Sequence, residues 1–230
     1  NNNNNSNNDE SKADIKIKRI NDDDIPYNKP SLVDMYKHFH YCNETYFGVG
    51  NFSKIVADIA IAHTKADKRI NVMDVGCAVG RTCFELSKSF NNIIGIDYAK
   101  ELIKVGNEFK NKGKLSWKIK NHGDIYDEYT CNWNDININK TNTDKVKFFV
   151  GDAHNLLNNN EYSNIKYNCL IACNLIDRLS KPIRFLTKIK RLLIKNSILI
   201  IVDPYTWMNE YTNKNDWIGG KIIDGYKLNT

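Results

Sequence analysis

Three acids each close an apolar run: Asp74 in "INVMDVG", Asp97 in "NIIGID" and Asp152 in "KVKFFVGD". The first opens "MDVGCAVG", where Gly76, Ala78 and Gly80 alternate with Cys77 and Val79. A strand-to-helix turn of such small residues lets the backbone approach a ligand at the carboxyl edge of a sheet, where open α/β folds bind. The spacing is G-x-A-x-G and not the G-x-G-x-x-G of dinucleotide sites, so nothing here asks for a pyrophosphate. Asp97 follows Gly80 by seventeen residues and can accept both hydroxyls of a ribose. Asp152, with Ala153 beside it, can accept from an adenine amino group. Taken singly, a glycine turn is often purely structural, and an acid at a strand end is more often an N-cap or turn residue. Three acids at three successive strand ends form a constellation, and it describes a site for adenosine without phosphate.

A second cluster lies near the C-terminus, in "DPYTWMNEYTNKNDWIGG", Asp203 to Gly220. Tyr205, Trp207, Tyr211 and Trp217 crowd just past the apolar run "SILIIV". Two readings stay open for each ring. It lines a pocket, where aromatic faces suit a flat acceptor or a cation, or it packs the loop onto the sheet. Asn174 and Arg178 follow the fourth apolar run, "YNCLIAC". Arg178 either holds a carboxylate in bidentate fashion or caps the next helix.

The elements that must position these residues alternate. Two helices come first, in "SLVDMYKHFHY" and "NFSKIVADIAIAH", the second with Asn51 or Ser53 as its N-cap. Strands follow at "INVMDVG", "NIIGID", "KVKFFVGD", "YNCLIAC" and "SILIIVD", with helices at "RTCFELSKSF", "YAKELIKVGNEFK" and "KPIRFLTKIKRLLI" between them. Nearly all-apolar strands alternating with helices predict a Rossmann-like, doubly wound, mainly parallel sheet covered on both faces. An Asn-rich insertion at about 110–144 interrupts the alternation; "GKLSWKIKNHGDIYDEY" is expected to hold a small hairpin and the Asn-rich remainder to be disordered. Residues 1–25 read as a disordered Asn-rich linker and 26–230 as the folded domain. Only loop is expected after the fifth strand, so the sheet's usual further C-terminal strands are missing from this chain, which also lacks an initiator Met.

The order Asp74-x-Gly-x-x-x-Gly80, then Asp97, then "GDA" resembles the cofactor-binding half of class I S-adenosyl-L-methionine-dependent methyltransferases. The resemblance implies that Asp74 with Gly76, Cys77, Ala78 and Gly80 holds the methionine end of the cofactor, with Asn174 nearby. Asp97 would take the ribose, Tyr98 would lie against the adenine, and Asp152 and Ala153 would read the adenine edge. S-adenosyl-L-homocysteine would be the product.

From about Tyr27 to Gly220 the chain resembles a narrower family: the methyltransferase domain at the C-terminal end of the ovothiol-biosynthesis enzyme, 5-histidylcysteine sulfoxide synthase. "DVGCAVGRTCFEL", "ACNLIDRL", "YKHFHY" and above all the rarer "PYTWMNEYTNKNDWIGG" carry that likeness. The Asn-rich inserts, Cys42 in place of the Gly expected after "HY", and the absent C-terminal strands depart from it. The implied acceptor is 5-thiohistidine (4-mercaptohistidine), methylated on an imidazole nitrogen. Tyr41, Arg178, Tyr205, Trp207, Glu210 and Trp217 would face it, and sulfoxide-synthase domains would precede this one. Such a displacement at carbon needs positioning more than covalent chemistry. A base is required only if the attacking nitrogen carries a proton, and His40, His154 and Glu210 are the candidates. No metal is required.

Composition bounds the rest. The chain has 230 residues, a formal charge of +6 made largely of scattered Lys, and six Cys with no C-x-x-C pair. These read as reduced thiols of a cytoplasmic protein. No apolar run is long enough to span a membrane, and the opening "NNNNNSNNDE" is not a signal peptide. Lys and Arg are not clustered with aromatics, so a nucleic-acid partner is not expected. The competing readings are a methyltransferase for another small molecule or for RNA, and a cofactor-binding module that serves interaction alone.

Overall fold

A computed structural model of the chain describes residues 26–42 and 48–229. The expected linker at 1–25 lies outside the described residues. Five parallel strands form the central sheet: β1 (Asn71–Val75), β2 (Asn92–Asp97), β5 (Val146–Val150), β6 (Tyr167–Cys173) and β7 (Leu193–Val202). Their order is β5-β2-β1-β6-β7. The chain therefore winds outward from β1 in both directions, and loops diverge between β1 and β6. That divergence opens a crevice at the strands' carboxyl ends.

Period-two alternation sends side chains into two cores. Val72 and Ile93 join one layer, packed by α2 (Phe52–His63), α3 (Arg81–Leu86) and α4 (Lys100–Lys112). Met73, Val75, Ile94 and Ile96 join the other, packed by α7 (Pro182–Ile189) through Phe185 and Ile189. The helix before these, α1 (Pro30–Tyr41), begins with Pro at its first turn, where a missing N–H costs nothing. Asn51 caps α2 by accepting the Lys54 N–H at 3.1 Å. Gly113, left-handed at φ 75°, stops α4.

The expected hairpin in the insertion is present as β3 (Lys114–His122) and β4 (Ile125–Asn132). Trp117 and Tyr129 stack across it at 5.8 Å, and His38 of α1 meets Tyr129 edge-on at 4.5 Å. The Asn-rich remainder is ordered, against expectation. Asn132 and Asp135 form a capping box around the 3-10 turn Trp133–Ile136, and Asn139 with Asn142 forms another at α5 (Lys140–Asp144). Buried Ile136 and Ile138 anchor the segment. Asn here supplies caps, each stabilising by about 1 kcal/mol, where composition alone suggested a solvated tract.

Two further expectations are corrected. The helix predicted to run through "RLLI" ends at Ile189, because Leu193 already pairs with Tyr167 as the start of β7. Left-handed Asn196 (φ 62°) then interrupts the register before Ile198 meets Cys169. The C-terminal tail is not plain loop either. β8 (Lys221–Ile223) and β9 (Tyr226–Leu228) form a hairpin across Asp224-Gly225, both at positive φ, the two-residue turn that this dipeptide favours. Between β5 and β6 lies a short α6 (Asn160–Ser163). Among the described residues no helix is long and apolar enough to cross a membrane.

Candidate functional site

A cavity of about 960 Å³ opens at the carboxyl ends of β1, β2, β5 and β6. Asp74, Gly76, Cys77, Ala78, Asp97, Tyr98, Asp152, Ala153 and Asn174 all line it, as do Arg178, His40, His154 and Glu210. The constellation read from strand ends thus converges on one space.

The turn after β1 is bonded to the next strand. Gly76 and Cys77 donate their N–H groups to the Ile96 carbonyl at 2.7 and 3.0 Å. Ala78 adopts a left-handed φ of 48° and donates its N–H to Asp97 Oδ2 at 2.9 Å. Asp97 Oδ1 accepts from Ala99 N–H at 2.9 Å. Burial pushes the Asp97 carboxyl up, and the N–H groups of Ala99, Ala78 and Tyr98 oppose this. Three backbone N–H groups thus act on the two oxygens, which leaves one of the carboxylate's roughly four acceptor sites open. Gly80 does not line the cavity. A Cβ there would fall 2.4 Å from the Phe148 ring; one at Gly95 would fall 2.7 Å away and one at Gly106 3.1 Å. The three glycines cradle Phe148, and the second glycine of the motif is explained by packing and by its φ of 84°.

Asp74 is the most confined of the acids. Burial pushes its carboxyl up to about 7, opposed by a contact from the Cys83 thiol and helped by the charge of Asp97. Asp152 behaves in the opposite way. Burial raises it, but the His154 and Asn155 bonds outweigh that and hold it below the usual carboxylate value. Asp152 caps the 3-10 turn that follows, accepting His154 N–H at 2.8 Å and the Asn155 side-chain amide at 2.8 Å.

The three base candidates separate. His154 uses both ring nitrogens, Nδ1 against Asp152 at 3.1 Å and Nε2 accepting Lys181 N–H at 3.2 Å, so it is a structural residue. His40 is buried, with Nδ1 3.0 Å from Ser53 Oγ; burial and then Arg81 push its imidazole down to about 3 and keep it neutral. Glu210 stands in the cavity wall.

Four residues expected at the acceptor do not line the cavity. Tyr41 points into the core, its hydroxyl donating to the Val79 carbonyl at 2.8 Å and its ring 4.9 Å from Phe109. Trp207 and Trp217 stack on each other at 6.2 Å, Trp217 Nε1 donates to the Thr212 carbonyl at 2.8 Å, and Trp207 packs on the second core. Tyr205 is 41% exposed on a left-handed turn. These rings seat the loop after β7. That loop is fixed from its first residue: Asp203 accepts the N–H groups of Ile176 and Tyr205 at 2.7 and 2.9 Å. Buried Asp177 accepts the N–H and hydroxyl of Thr206, both at 2.9 Å, and pairs with Arg178 at 2.9 Å.

Sequence reasoning missed the opposite wall. Tyr27, Met35, Tyr36, Phe39 and Phe52 face the cavity, and Tyr211 joins them from the loop after β7. The helical stripe of α1 had been visible, but a stripe facing a cavity and one facing a core read alike. Met35 and Phe39 remain 51% and 52% exposed, which core residues would not.

The chain matches the family model described as a methyltransferase domain over residues 50–219. No curated protein matches it in sequence. Among solved structures it resembles the YcgJ protein of Bacillus subtilis, with 16% identity and a TM-score of 0.45, over 66% of this chain and 49% of that one. It resembles the CcbJ methyltransferase of Streptomyces caelestis, with 14% identity and a TM-score of 0.45, over 65% and 47%. It also resembles a coclaurine N-methyltransferase bound to N-methylheliamine and S-adenosyl-L-homocysteine, with 12% identity and a TM-score of 0.46, over 70% and 39%. The chain spans about half the length, or less, of these structures. With a family match over residues 50–219 and a parallel sheet ordered about β1, this chain belongs to the methyltransferase-domain family, the class I fold whose cofactor is S-adenosyl-L-methionine.

Proposed function

We propose that this chain transfers the methyl group of S-adenosyl-L-methionine to an imidazole nitrogen of 5-thiohistidine, the methylation step of ovothiol biosynthesis. The observation that carries the reading is the mixed lining of the cavity: acids at the strand ends, aromatic rings from α1 and the loop after β7, and the charged pair Arg178 and Glu210.

The donor set fits the cofactor. Asp74, Asp97, Asp152 and Glu210 make the wall acid-rich, while the cation among them, Arg178, is already paired with Asp177. Such a wall favours a cationic ligand and disfavours a phosphate. Asp97 would accept from the ribose with the acceptor site that its three backbone bonds leave open. Tyr98 and Ala153 would hold the adenine with Asp152 at its edge, and Asp74, Cys77 and Asn174, which line the same cavity, would hold the amino-acid end. When bound, S-adenosyl-L-methionine supplies a methyl group on a sulfonium, already activated for in-line displacement.

The chain's own residues position the acceptor. Tyr36, Phe39 and Tyr211 offer faces to a flat imidazole. Arg178, held by Thr206 and Asp177, lines the same space, and its remaining N–H groups would be the donors for an acceptor carboxylate. Glu210 meets the ammonium. An imidazole nitrogen with a free lone pair needs no base, and neutral His40 contributes shape and a hydrogen bond instead.

Mass spectrometry of the full-length protein with S-adenosyl-L-methionine and 5-thiohistidine tests this, with histidine and bulk RNA as controls. The reading predicts a methylated thiohistidine and no product from either control. Methylation of RNA, or none of thiohistidine, would assign a different acceptor to the same cavity.

A further inference from the structure

The methionine end of S-adenosyl-L-methionine carries an ammonium and a carboxylate, and the acids at the strand ends suit only the ammonium. Among the described residues, Arg178 is the one Lys or Arg that lines the cavity, and it is paired with Asp177. The carboxylate therefore calls for neutral donors near the turn after β1. His40 at the end of α1, Ser53 at the start of α2 and Thr82 of α3 all line the cavity there. We propose that the His40 Nε2–H and the Thr82 hydroxyl form the subsite that holds the cofactor's carboxylate. The proposal rests on the cofactor reading above.

The end of α1 is fastened to the segment that follows β1. Tyr41 donates its hydroxyl to the Val79 carbonyl at 2.8 Å, and Arg81 Nη1 donates to the His40 carbonyl at 3.2 Å. The Asn51 side-chain amide donates to the same carbonyl at 2.9 Å. Phe39 meets the His40 ring edge-on at 5.5 Å, and the Tyr36 ring lies 6.0 Å away. Buried Ser53 places its Oγ 3.0 Å from His40 Nδ1. Among the described residues this hydroxyl has no other acceptor, so it donates to Nδ1 and the ring proton sits on Nε2. The opposite tautomer would leave a buried hydroxyl proton unbonded, which costs free energy. Nε2 has no partner among the described residues, yet it is not one of the sealed unpartnered atoms, which are Thr64 Oγ1 and Asp177 Oδ1. In a residue 9% exposed that lines the cavity, it is the polar atom left open to a ligand. The Thr82 hydroxyl, equally confined, has no partner among the described residues either. Burial and then the Arg81 charge hold the imidazole neutral, so it offers an N–H and takes up no proton.

Calorimetric titration of the full-length protein tests the subsite with S-adenosyl-L-methionine and with its decarboxylated form, which keeps the ammonium, the sulfonium and the adenosine. The proteins compared are wild type, His40→Leu, His40→Gln and Thr82→Val. His40→Leu and Thr82→Val should each bind S-adenosyl-L-methionine roughly 10- to 100-fold more weakly, the range for one hydrogen bond to a charged group. Both should bind the decarboxylated form as wild type does. His40→Gln, whose amide can still donate, should recover part of the loss. Thr82→Val removes a hydroxyl with no partner in the fold, so it tests the subsite whatever the Leu variant does to α1. Equal losses for the two ligands, or undiminished affinity for S-adenosyl-L-methionine in both variants, would overturn the subsite. A wild type that binds neither ligand would overturn the cofactor reading itself, a separate and distinguishable result.

Discussion

The Asp97 carboxylate accepts the amide N–H of Ala78 at 2.9 Å, joining the loops that follow two neighbouring strands. The bond holds Ala78 in a left-handed conformation, φ 48°, that an L-residue with a Cβ adopts at a cost of about 1–2 kcal/mol. Glycine would carry no such cost but would lose about 0.5–1 kcal/mol to unfolded-chain entropy. Ala78→Gly should therefore stabilise the protein by about 0.5 kcal/mol and leave cofactor affinity intact. Denaturant unfolding checks this, and a clear loss of stability would mean that the Ala78 methyl packs productively.

Asp74 links the site to pH. Its carboxyl stands at about 7 in the fold against 3.8 for an unperturbed group. The folded state keeps a proton that the unfolded chain has lost, so stability falls as pH rises from about 4 to about 7. Below that window both states are protonated and the group contributes nothing; above it the buried charge costs on the order of 2–4 kcal/mol. Asp74→Asn should raise the Tm at about pH 8, change it little at about pH 4, and weaken S-adenosyl-L-methionine binding. A pH-independent shift in Tm would remove Asp74 as the titrating group.

The two tryptophans and Tyr211 should part company in kinetics. Trp217→Ala breaks a stack and a bond to Thr212, so it should cost about 2 kcal/mol of stability with an unchanged acceptor KM. Tyr211→Ala should raise that KM several-fold with little loss of stability. The reverse pattern, steady-state KM moving with Trp217 and not with Tyr211, would place the acceptor on the outer face of the loop.

The parallel sheet and its strand-end acids were legible because their signals are local. Apolar runs, small residues in a turn, and an acid closing each run lie within a few residues of one another, and the fold carries Asp74, Asp97 and Asp152 to one cavity. The aromatic wall was not legible, because it forms only when α1 and the 3-10 turn Pro26–Asn28, packed on α4 and β3, come to line the same cavity as Tyr211 from the far end of the chain. Nothing in "PYTWMNEYTNKNDWIGG" marks Tyr211 as facing inward and Trp207 as facing the core; the bonds from Asp177 and Asp203 decide that. The Asp224-Gly225 hairpin carried its signal openly and required only that the two-residue turn be weighed.

The central claim is that the acids at the strand ends hold S-adenosyl-L-methionine, and calorimetric titration of the cofactor into wild type and Asp97→Ala tests it most directly. A charge-assisted bond to the ribose, contributing about 1.5–3 kcal/mol, is at stake together with the Ala78 and Ala99 N–H bonds that shape the turn. The account predicts binding to wild type and at least a roughly 100-fold weaker affinity in the variant. Equal affinity in the two proteins would contradict it, and would move the ribose away from Asp97.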